Sequence, residues 1–380
     1  MKTEKLFKTP LTPAQISNSE LNLREFKEGR TELASSPRRI VFELTNRCNF
    51  QCIMCGREAV NFKTKDLPVD VVKACEPFYG QTEEVTLHGW GEGTLHPKTA
   101  EVLEYLNSFP MLRKYFVTNG STMPRIMGPI FAHHVDLVAV SLDGATPETN
   151  NGIRKGGDFN REVASIRLLM EEKAKRGANY PYVNLVFTAM ARNIHELPKM
   201  VELARELGLP EVKVVYLTIF NEALAAESLV DRQQLVMEHF GKAMELAEKY
   251  GINLKLPEIQ GAGEAGLMKH KTCPFPWRDL YIGSDGYVRP CQSSADKLLH
   301  IGGYGSFEAV WNSEPMQKMR STVNDPEAMP AGCANCYHSS CANWNLSTSF
   351  VQLGKKFAPD WMADKGKAAA AVETLKAAVE

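Results

Sequence analysis

The stretch IVFELTNRCNFQCIMC, residues 40–55, joins a short apolar run directly to three closely spaced cysteines. The run that opens it has the composition of a buried β-strand. Three thiols within eight residues can surround one soft metal centre. A closed structural metal site fills every coordination position with protein ligands, whereas a working site leaves one position open. Cys48, Cys52 and Cys55 therefore indicate a metal centre with a free position, directly after the first strand.

On the carboxyl side of this stretch, β-rich runs alternate with helix-forming segments. The expected strands are Ile40–Leu44, Glu84–Leu87, Lys114–Thr118, Leu137–Ser141, Tyr182–Ala189 and Val212–Leu217. The expected helices between them are Val69–Phe78, Lys98–Asn107, Asn160–Lys175 and His195–Leu207, with a weaker segment at Met123–His133. Strands that alternate with helices predict parallel βαβ units, whose right-handed crossovers bring all carboxyl ends to one rim. The sequence predicts an α/β fold. Its six strands form either an incomplete barrel, that is a partial (β/α)6 barrel, or an open wound sheet, and a small cysteine-rich domain follows.

The composition of successive segments divides the chain into five parts. The predicted parts are a polar, mostly surface-lying leader at 1–37, a core domain at 38–227, a bridging helical segment at 228–270, a cysteine-rich domain at 271–346 and a helical tail at 347–380. The bridge contains a long amphipathic helix, Ser228–Lys249, after which no strand is expected soon. The cysteine-rich part is short enough that a metal site is expected to hold it together.

Overall composition limits the class of protein. The 380 residues carry 44 basic and 45 acidic side chains, so no basic surplus favours nucleic acid or an anionic membrane as partner. No apolar run reaches the length of a membrane span, and no secretory signal follows the first residues. We therefore expect a cytoplasmic protein. In that reducing compartment, nine cysteines indicate metal binding rather than disulfides.

A second group of cysteines lies late in the chain. Cys273 is followed by a predicted hairpin with a Ser-Asp-Gly turn, which returns Cys291 to its side. Cys333 and Cys336 form a chelating pair, predicted on a turn. Two plus two thiolates suffice for one four-iron cluster, although four cysteines also suit a structural zinc ion. Cys75 stands alone on a predicted helix and is expected in the core.

The C-x3-C-x2-C motif after a first strand resembles the radical S-adenosylmethionine (SAM) superfamily. The resemblance implies that Cys48, Cys52 and Cys55 bind a [4Fe–4S] cluster whose free iron chelates the amino and carboxylate groups of SAM. Met54 departs from the family pattern, which usually has an aromatic residue before the last cysteine. The alternative is a zinc knuckle, which would need a fourth ligand nearby, and the nearest histidine is His88.

The segment Gly89-Trp90-Gly91-Glu92 resembles the Gly-Gly-Glu motif with which the family holds the SAM amino group, with Trp90 in place of one glycine. Gly91 lets the backbone approach a ligand, and the Glu92 carboxylate can pair with an ammonium group. A plain glycine turn is the alternative interpretation.

Five further positions lie at or after the ends of the later strands. The family often contacts the SAM ribose from strand ends such as Asn119, Ser141 and Asp143, although Asn-Gly and Asp-Gly pairs are also common turns. Arg154 is expected either to face the SAM carboxylate or to stabilise its loop. Met190 is expected either to line the adenine pocket or to belong to the core.

The late cysteines resemble the SPASM/Twitch domains that follow many radical SAM cores. Full SPASM domains carry seven cysteines, so this chain resembles the Twitch type, with one auxiliary [4Fe–4S] cluster. The resemblance implies the ligands Cys273, Cys291, Cys333 and Cys336. For Cys341 three roles stay open: a small hydrophobe beside Trp344, an alternative ligand, or a hydrogen-atom donor.

The resemblance implies an enzyme that reductively cleaves SAM to a 5′-deoxyadenosyl radical and abstracts hydrogen from a substrate C–H bond. With the auxiliary cluster as second electron acceptor, the expected result is a two-electron oxidation, either dehydrogenation of a sugar- or cyclitol-like molecule or a peptide modification. The alternatives are a redox-neutral epimerase with Cys341 as hydrogen donor, an activase that makes a glycyl radical, and a non-catalytic iron–sulfur electron carrier. The expected protein partner is a flavodoxin- or ferredoxin-type electron donor.

Overall fold

One large sheet organises residues 9–59, 63–257, 259 and 273–339, which the computed structural model describes. Within these residues, ten strands form the sheet in the order β12-β11-β10-β1-β3-β4-β5-β7-β8-β9, and β2 pairs with β6 in a separate ribbon. The strands are β1 (Arg39–Phe42), β2 (Gln51–Cys52), β3 (Glu84–Leu87), β4 (Arg113–Thr118), β5 (Leu137–Ser141), β6 (Arg154–Lys155), β7 (Tyr182–Ala189), β8 (Glu211–Tyr216), β9 (Asn253–Lys255), β10 (Asp279–Ile282), β11 (Tyr287–Arg289) and β12 (Leu299–His300).

The six predicted strands are confirmed as β1, β3, β4, β5, β7 and β8, and each pairs with the next in parallel. The two edges of the sheet do not pair with each other, so the sheet forms a partial rather than a closed barrel. Parallel pairing places all six carboxyl ends at one rim, where the cysteine loop and the glycine loop follow β1 and β3.

Helices connect most of the strands and continue through the cysteine-rich region. They are α1 (Pro13–Lys27), α2 (Val69–Ala74), α3 (Glu76–Tyr79), α4 (Thr99–Asn107), α5 (Met127–Ala132), α6 (Pro147–Ile153), α7 (Phe159–Lys175), α8 (Leu197–Glu206), α9 (Gln233–Tyr250), α10 (Phe275–Arg278), α11 (Phe307–Trp311), α12 (Glu314–Thr322) and α13 (Ala331–Ser339). In the part of the chain described, no helix has the length and apolar content that crossing a bilayer requires. Cys75 is fully buried between α2 and α3, as predicted for a core residue.

The leader does not simply lie on the surface. Thr12 and Gln15 form a reciprocal capping box, and Pro13 occupies the first helical position, so α1 begins where its sequence favours a helix start. Its buried face is polar. The Gln15 amide donates to Thr82 O at 2.7 Å, and the Asn22 amide donates to Trp277 O at 2.7 Å. The apolar pattern did not reveal this face, because the residues that α1 buries most deeply are polar and hydrogen-bonded.

The expectation that no strand follows the long helix is wrong. The helix α9 ends at Tyr250, and Gly251 caps it with φ +68°, a conformation that glycine adopts without strain. Strand β9 follows at once and pairs in parallel with β8. The strand escaped sequence analysis because it has only three residues, two of them polar.

The predicted hairpin is confirmed and extends the barrel sheet. Strands β10 and β11 pair antiparallel, with Gly286 at φ +78° in the turn. On its other side β10 pairs in parallel with β1, where Arg39 lies opposite Asp279 and their side chains form a buried ion pair. The cysteine-rich region is therefore joined to the first strand of the barrel through backbone hydrogen bonds.

The two faces of the sheet differ in character. The outer face contributes to one extensive apolar cluster beneath the helices. The inner face has a small apolar cluster of Tyr115, Leu137, Ala139 and Tyr182. Buried charged residues lie at the amino ends of the strands around that cluster, for example Glu84 at the start of β3 and Glu211 at the start of β8. Buried charges must be paired, so the barrel interior is held by polar networks that leave room for ligands at the rim.

Candidate active site

A short ribbon fixes the loop that carries the three early cysteines. Strands β2 and β6 pair antiparallel, and Cys52 lies directly opposite Arg154. The ladder is extended by a 3.0 Å hydrogen bond from Ile53 N to Ile153 O, and the Cys55 amide donates to Cys52 O at 3.0 Å. Strand β6 follows α6, so the fourth βα unit holds the loop that follows the first strand.

Gly91 packs against the backbone of the same loop. A Cβ atom at this position would lie 2.1 Å from Thr45 O and 2.6 Å from Arg47 O, far closer than atoms approach without bonding. Only glycine fits there. The Glu92 amide then donates to Arg47 O at 2.8 Å. The glycine loop after β3 therefore supports the start of the cysteine loop.

A cavity of about 310 Å³ lies at the rim beside this loop. It brings together eight of the residues predicted from sequence: Cys48, Cys52, Cys55, Gly91, Glu92, Asn119, Ser141 and Arg154. These residues come from five separate segments, and parallel pairing of the strands is what places them on one rim.

The Glu92 carboxylate is already well occupied by donors from this chain. Its Oε1 accepts from the Thr118 hydroxyl at 2.8 Å and from the hydroxyl and amide of Thr94 at 2.7 and 3.2 Å. Its Oε2 accepts from the Asn119 amide at 2.7 Å. Glu92 thus ties the ends of β3 and β4 together while it lines the cavity, and Oε2 has the more open lone pairs for a ligand ammonium.

Asp143 and Met190 are not among the residues that line this cavity. Asp143 is fully buried, and its Oδ2 lies 2.7 Å from Arg154 Nη2. Its Oδ1 accepts from the Thr188 amide at 2.7 Å. Met190 is fully buried in an apolar cluster with Ile153. Asp143 therefore lies behind the cavity wall and positions Arg154, which lines the cavity. Met190 packs against Ile153, the residue before Arg154.

The later cysteines face a second cavity of about 250 Å³, which Cys291 and Cys336 line. The two cavities share six lining residues, Met54, His88, Thr188, Val215, Phe220 and Gln292. The space beside the early cysteines is therefore contiguous with the space beside the later ones. Cys333 and Cys336 lie one turn apart on α13, not on the predicted turn, and this i, i+3 spacing still places both thiols on one face.

The chemistry of both cysteine groups fits iron–sulfur clusters. None of these seven cysteines is in a disulfide bond. Burial raises the pKa of Cys52 to about 12, while Arg154 opposes this shift. Burial, with a smaller contribution from the neighbouring Cys336, raises the pKa of Cys333 to about 12. Adjacent buried thiols resist ionisation in this way until a bound metal supplies the compensating positive charge.

The later four cysteines act on one another electrostatically. Burial raises the pKa of Cys273, and the neighbouring Cys291, Cys336 and Cys333 raise it further. Among the described residues, no three Cys, His, Asp or Glu side chains are grouped closely enough to hold a single metal ion. A four-iron cluster differs from a single ion in this respect, because its thiolate ligands bind separate iron atoms.

Glu43, a buried acidic residue directly after β1, was not among the predicted site residues. Its Oε2 accepts from the Trp90 amide at 2.7 Å and from the Tyr281 hydroxyl at 3.3 Å. Its Oε1 accepts from the amide and hydroxyl of Ser284 at 3.1 and 2.6 Å. Glu43 therefore joins the glycine loop to the hairpin that precedes Cys291. An acidic residue within an otherwise apolar strand was the available signal.

Two basic residues of the cavity were also missed as site residues. His88 lies at the carboxyl end of β3, and Lys213 lies within β8. Both line the cavity beside the early cysteines. Period-two alternation in the parallel strands could have placed them on the inner face. Cys341 and the predicted tail at 347–380 lie outside the described residues.

Two family models match the chain. The radical SAM superfamily model matches residues 42–231, which is half of the chain. The SPASM model, described as an iron–sulfur cluster-binding domain, matches residues 273–337. The second match favours iron–sulfur over the zinc alternative for the later cysteines.

Curated relatives cover most of the chain. An AdoMet-dependent heme synthase of Methanosarcina barkeri (strain Fusaro / DSM 804) is 26% identical over 82% of this chain and 91% of the relative. The mycofactocin maturase MftC of Mycobacterium tuberculosis (strain CDC 1551 / Oshkosh) is 28% identical over 86% of this chain and 82% of the relative.

Solved structures share the fold. Streptococcus suis SuiB bound to S-adenosylmethionine aligns with a TM-score of 0.60 and 13% identity, over 90% of this chain and 81% of SuiB. SuiB bound to its precursor peptide SuiA aligns with a TM-score of 0.58 and 13% identity, over 90% of this chain and 80% of SuiB. At this identity the likeness concerns architecture alone.

Proposed function

Because this chain belongs to the radical SAM superfamily, we propose that it uses SAM to carry out a two-electron oxidation of a substrate C–H position. Its cofactors are [4Fe–4S] clusters and SAM. When bound, they supply reductive cleavage of SAM to a 5′-deoxyadenosyl radical, which abstracts hydrogen from the substrate. The chain's own residues have to bind these groups, orient them and exclude water from the cavity.

The observation that carries this proposal is the contiguity of the two cavities. One cavity is lined by Cys48, Cys52 and Cys55, and the other by Cys291 and Cys336. A substrate held between them is close to both cysteine groups. This arrangement suits an oxidation, because the second electron of the substrate then has an acceptor nearby.

We assign the early cysteines Cys48, Cys52 and Cys55 as ligands of the SAM-binding cluster. The wall around them offers groups that suit the two ends of the methionine part of SAM. Arg154, opposite Cys52 and held by Asp143, is placed to face a carboxylate. Glu92 is placed to accept from an ammonium group. Its existing hydrogen bonds keep the carboxylate rigid, which favours a precise ligand position.

The other residues proposed to bind SAM or the auxiliary cluster are assigned from their positions around the two cavities. Asn119 and Ser141 follow neighbouring strands and line the cavity. The Asn119 Oδ1 already accepts from Ser121 and its Nδ2 donates to Asn49, so the second Nδ2 hydrogen of Asn119 and the Ser141 hydroxyl are the groups proposed to contact the ribose. Cys273, Cys291, Cys333 and Cys336 are assigned as the four ligands of the auxiliary cluster. Full ligation by protein would leave that cluster no open iron, which suits electron transfer rather than substrate binding.

Two substrate classes are proposed, namely a sugar- or cyclitol-like small molecule and a peptide. SuiB, which shares this fold, has been solved with a precursor peptide, and another relative is a maturase. A third relative is named for heme synthesis, which supports the small-molecule class. A flavodoxin- or ferredoxin-type protein is proposed as the electron donor, and the cytoplasm as the location of the enzyme.

Anaerobic incubation of the iron-replete protein with SAM and dithionite tests the proposal. We expect 5′-deoxyadenosine to form, and Cys52→Ala to abolish it. Candidate sugars or peptides deuterated at the reacting carbon are then expected to transfer deuterium into 5′-deoxyadenosine. A protein whose early cluster is intact but yields no 5′-deoxyadenosine would contradict the proposal and favour an electron carrier.

A further inference from the structure

A groove between α7 and the turn at Met123–Ile126 shares no lining residue with the two cavities described above. Its volume is about 290 Å³. Arg125 comes from the turn, Arg161 and Leu168 come from one face of α7, and the buried Ser121 lies at its floor. We call this surface the arginine groove.

The arginine groove adjoins the cysteine loop. The Ser121 hydroxyl accepts from Asn49 Nδ2 at 2.9 Å. Gly156, shortly before α7, lies against the same residue, because a Cβ atom there would be 3.1 Å from Asn49 O. Asn49 is exposed and directly follows Cys48. The groove therefore lies beside the point at which the cysteine loop reaches the surface.

The two arginines of the groove are exposed. In the part of the chain that the structure describes, neither guanidinium group has a hydrogen bond or an ion pair. Further along α7 the arginines do have carboxylate partners. Arg167 pairs with Glu206, and Arg176 pairs with Glu172. Uncompensated guanidinium charge on α7 is thus found at the end of the helix beside the cysteine loop.

The acidic residues nearest to Arg161 in sequence are Asp158 and Glu162. Asp158 caps α7, and its Oδ1 accepts from the Asn160 and Arg161 amides at 3.0 and 3.4 Å. Glu162 is fully buried, and its Oε2 accepts from Asn150 Nδ2 at 2.8 Å. At the surface, two guanidinium groups therefore stand against one carboxylate, which favours an anionic partner.

The groove also offers an apolar contact. Leu168 is 41% exposed, and among the described residues the other large apolar side chain of similar exposure is Ile16 on α1. Arginine is enriched at protein interfaces, and covering an exposed leucine is favourable. This combination suits a protein surface better than a small soluble anion.

Electron delivery to the early cysteines needs an approach other than the rim. The cavity beside them is assigned to SAM and substrate, so a protein electron donor has no place there. The exposed Asn49 provides a second approach, since it adjoins Cys48 on the side of the arginine groove.

We propose that the arginine groove is the docking surface for an acidic flavodoxin-type electron donor. This inference rests on the proposed function and adds the place at which its donor binds. A flavodoxin exposes the edge of a flat, largely apolar ring within an acidic surface, which complements an exposed leucine beside two guanidinium groups. One electron leaves the reduced flavin and enters the cluster assigned to Cys48, Cys52 and Cys55, and no covalent bond forms or breaks.

Calorimetric titration of the cluster-loaded full chain with an FMN-containing flavodoxin tests the surface without SAM. We expect Arg125→Glu/Arg161→Glu to bind at least about tenfold more weakly than the wild type, because both attractions become repulsions. The matched control is Arg24→Glu/Lys27→Glu, which reverses two charges in the last turn of α1. It is expected to change the affinity by less than about twofold, because these residues are not part of the groove.

Salt gives a second measurement. Raising the ionic strength from about 0.01 to about 0.15 M should weaken binding to the wild type, because the Debye length falls from about 30 to about 8 Å. Binding to Arg125→Glu/Arg161→Glu should not weaken in this way. The proposal is overturned if flavodoxin does not bind, if both double variants bind alike, or if a ferredoxin, and not flavodoxin, depends on the two arginines.

The source of electrons separates docking from the reaction. With reduced flavodoxin as donor, 5′-deoxyadenosine formation by Arg125→Glu/Arg161→Glu should fall about tenfold, in line with the affinity. With dithionite, which is small and needs no docking surface, the variant should match the wild type, and that result shows that it is folded and loaded. Equal loss with both reductants would overturn the docking role.

Failure of the proposed function has a different signature. Arginine-dependent flavodoxin binding without 5′-deoxyadenosine from either reductant would retain the docking surface and remove the proposed function. Formation of 5′-deoxyadenosine with dithionite, without flavodoxin binding, would retain the function and remove the docking surface.

Discussion

Gly91 illustrates how single residues determine whether the cysteine loop can form. The position has no room for a side chain, because the carbonyl oxygens of Thr45 and Arg47 occupy the place of a Cβ atom. Its role is therefore steric, whatever else the loop binds. Because Gly91 packs directly on the backbone of Thr45 and Arg47, the loop after β3 fixes the position of the first residues of the cysteine loop.

Gly91→Ala is expected to displace the cysteine loop and to lose the early cluster. The anaerobically reconstituted variant should hold about half the iron of the wild type, because the later cysteines are not disturbed. Gly128→Ala is the matched control, since nothing lies within 4 Å of a Cβ atom there. Full iron content in Gly91→Ala would contradict this account of the loop.

Asp143→Asn is expected to destabilise the protein by about 3 kcal/mol, because Arg154 would then be buried without its negative partner. Urea unfolding of the metal-free protein measures this change. The control is Glu206→Gln, which breaks the exposed ion pair with Arg167 and is expected to cost less than about 1 kcal/mol. Equal effects of the two substitutions would contradict a structural role for Asp143.

For single residues, the sequence predicted which neighbouring cysteines act together better than it predicted the direction in which a side chain points. The spacing of Cys48, Cys52 and Cys55 is itself a local geometry, and the structure places all three at one cavity. Whether Asp143 faces the cavity or the barrel wall depends on Arg154 and Thr188, which belong to other units. A side chain's partner across the fold is not encoded in its own segment.

At the scale of elements, the hairpin and the glycine loop are held against the first strand by Glu43. Its carboxylate accepts from the Trp90 amide and from both donors of Ser284. The loop that follows β3 and the turn before Cys291 therefore share one anchor. This contact sets the position of the later cysteines relative to the early ones.

Glu43→Ala is expected to loosen both segments together. Amide hydrogen exchange, followed by mass spectrometry, should accelerate in peptides that contain Trp90 and Ser284, because their buried N–H groups lose an acceptor. Peptides from β4 and β5 should be unchanged. Ser284→Ala removes only the hydroxyl contact and is expected to accelerate exchange at the hairpin alone. Unchanged exchange at Trp90 in Glu43→Ala would rule out the shared anchor.

The strands show which elements a sequence can and cannot predict. The six core strands are apolar runs bounded by turn residues, and that pattern suffices to locate them. The hairpin was predicted, but its pairing with β1 depends on a contact between Arg39 and Asp279, 240 residues apart. Strand β9 has little apolar signal and forms because β8 offers it an edge.

At the scale of the whole molecule, the two cysteine groups open onto contiguous cavities, so the early site and the auxiliary site are expected to have separable roles. Replacement of Cys333 and Cys336 together by alanine should leave SAM-dependent formation of 5′-deoxyadenosine measurable, because these residues lie on α13 and not in the early loop. Oxidised substrate should not accumulate, since the proposed second electron acceptor is lost. Loss of 5′-deoxyadenosine with an intact early cluster would contradict this division of roles.

The central claim is that three cysteines leave one iron of the early cluster open to SAM. Electron paramagnetic resonance of the dithionite-reduced Cys333→Ala/Cys336→Ala protein tests it most directly, because the early cluster then dominates the signal. The account predicts that adding SAM changes the spectrum. An identical spectrum with and without SAM, in protein whose early cluster is fully loaded with iron, would contradict it.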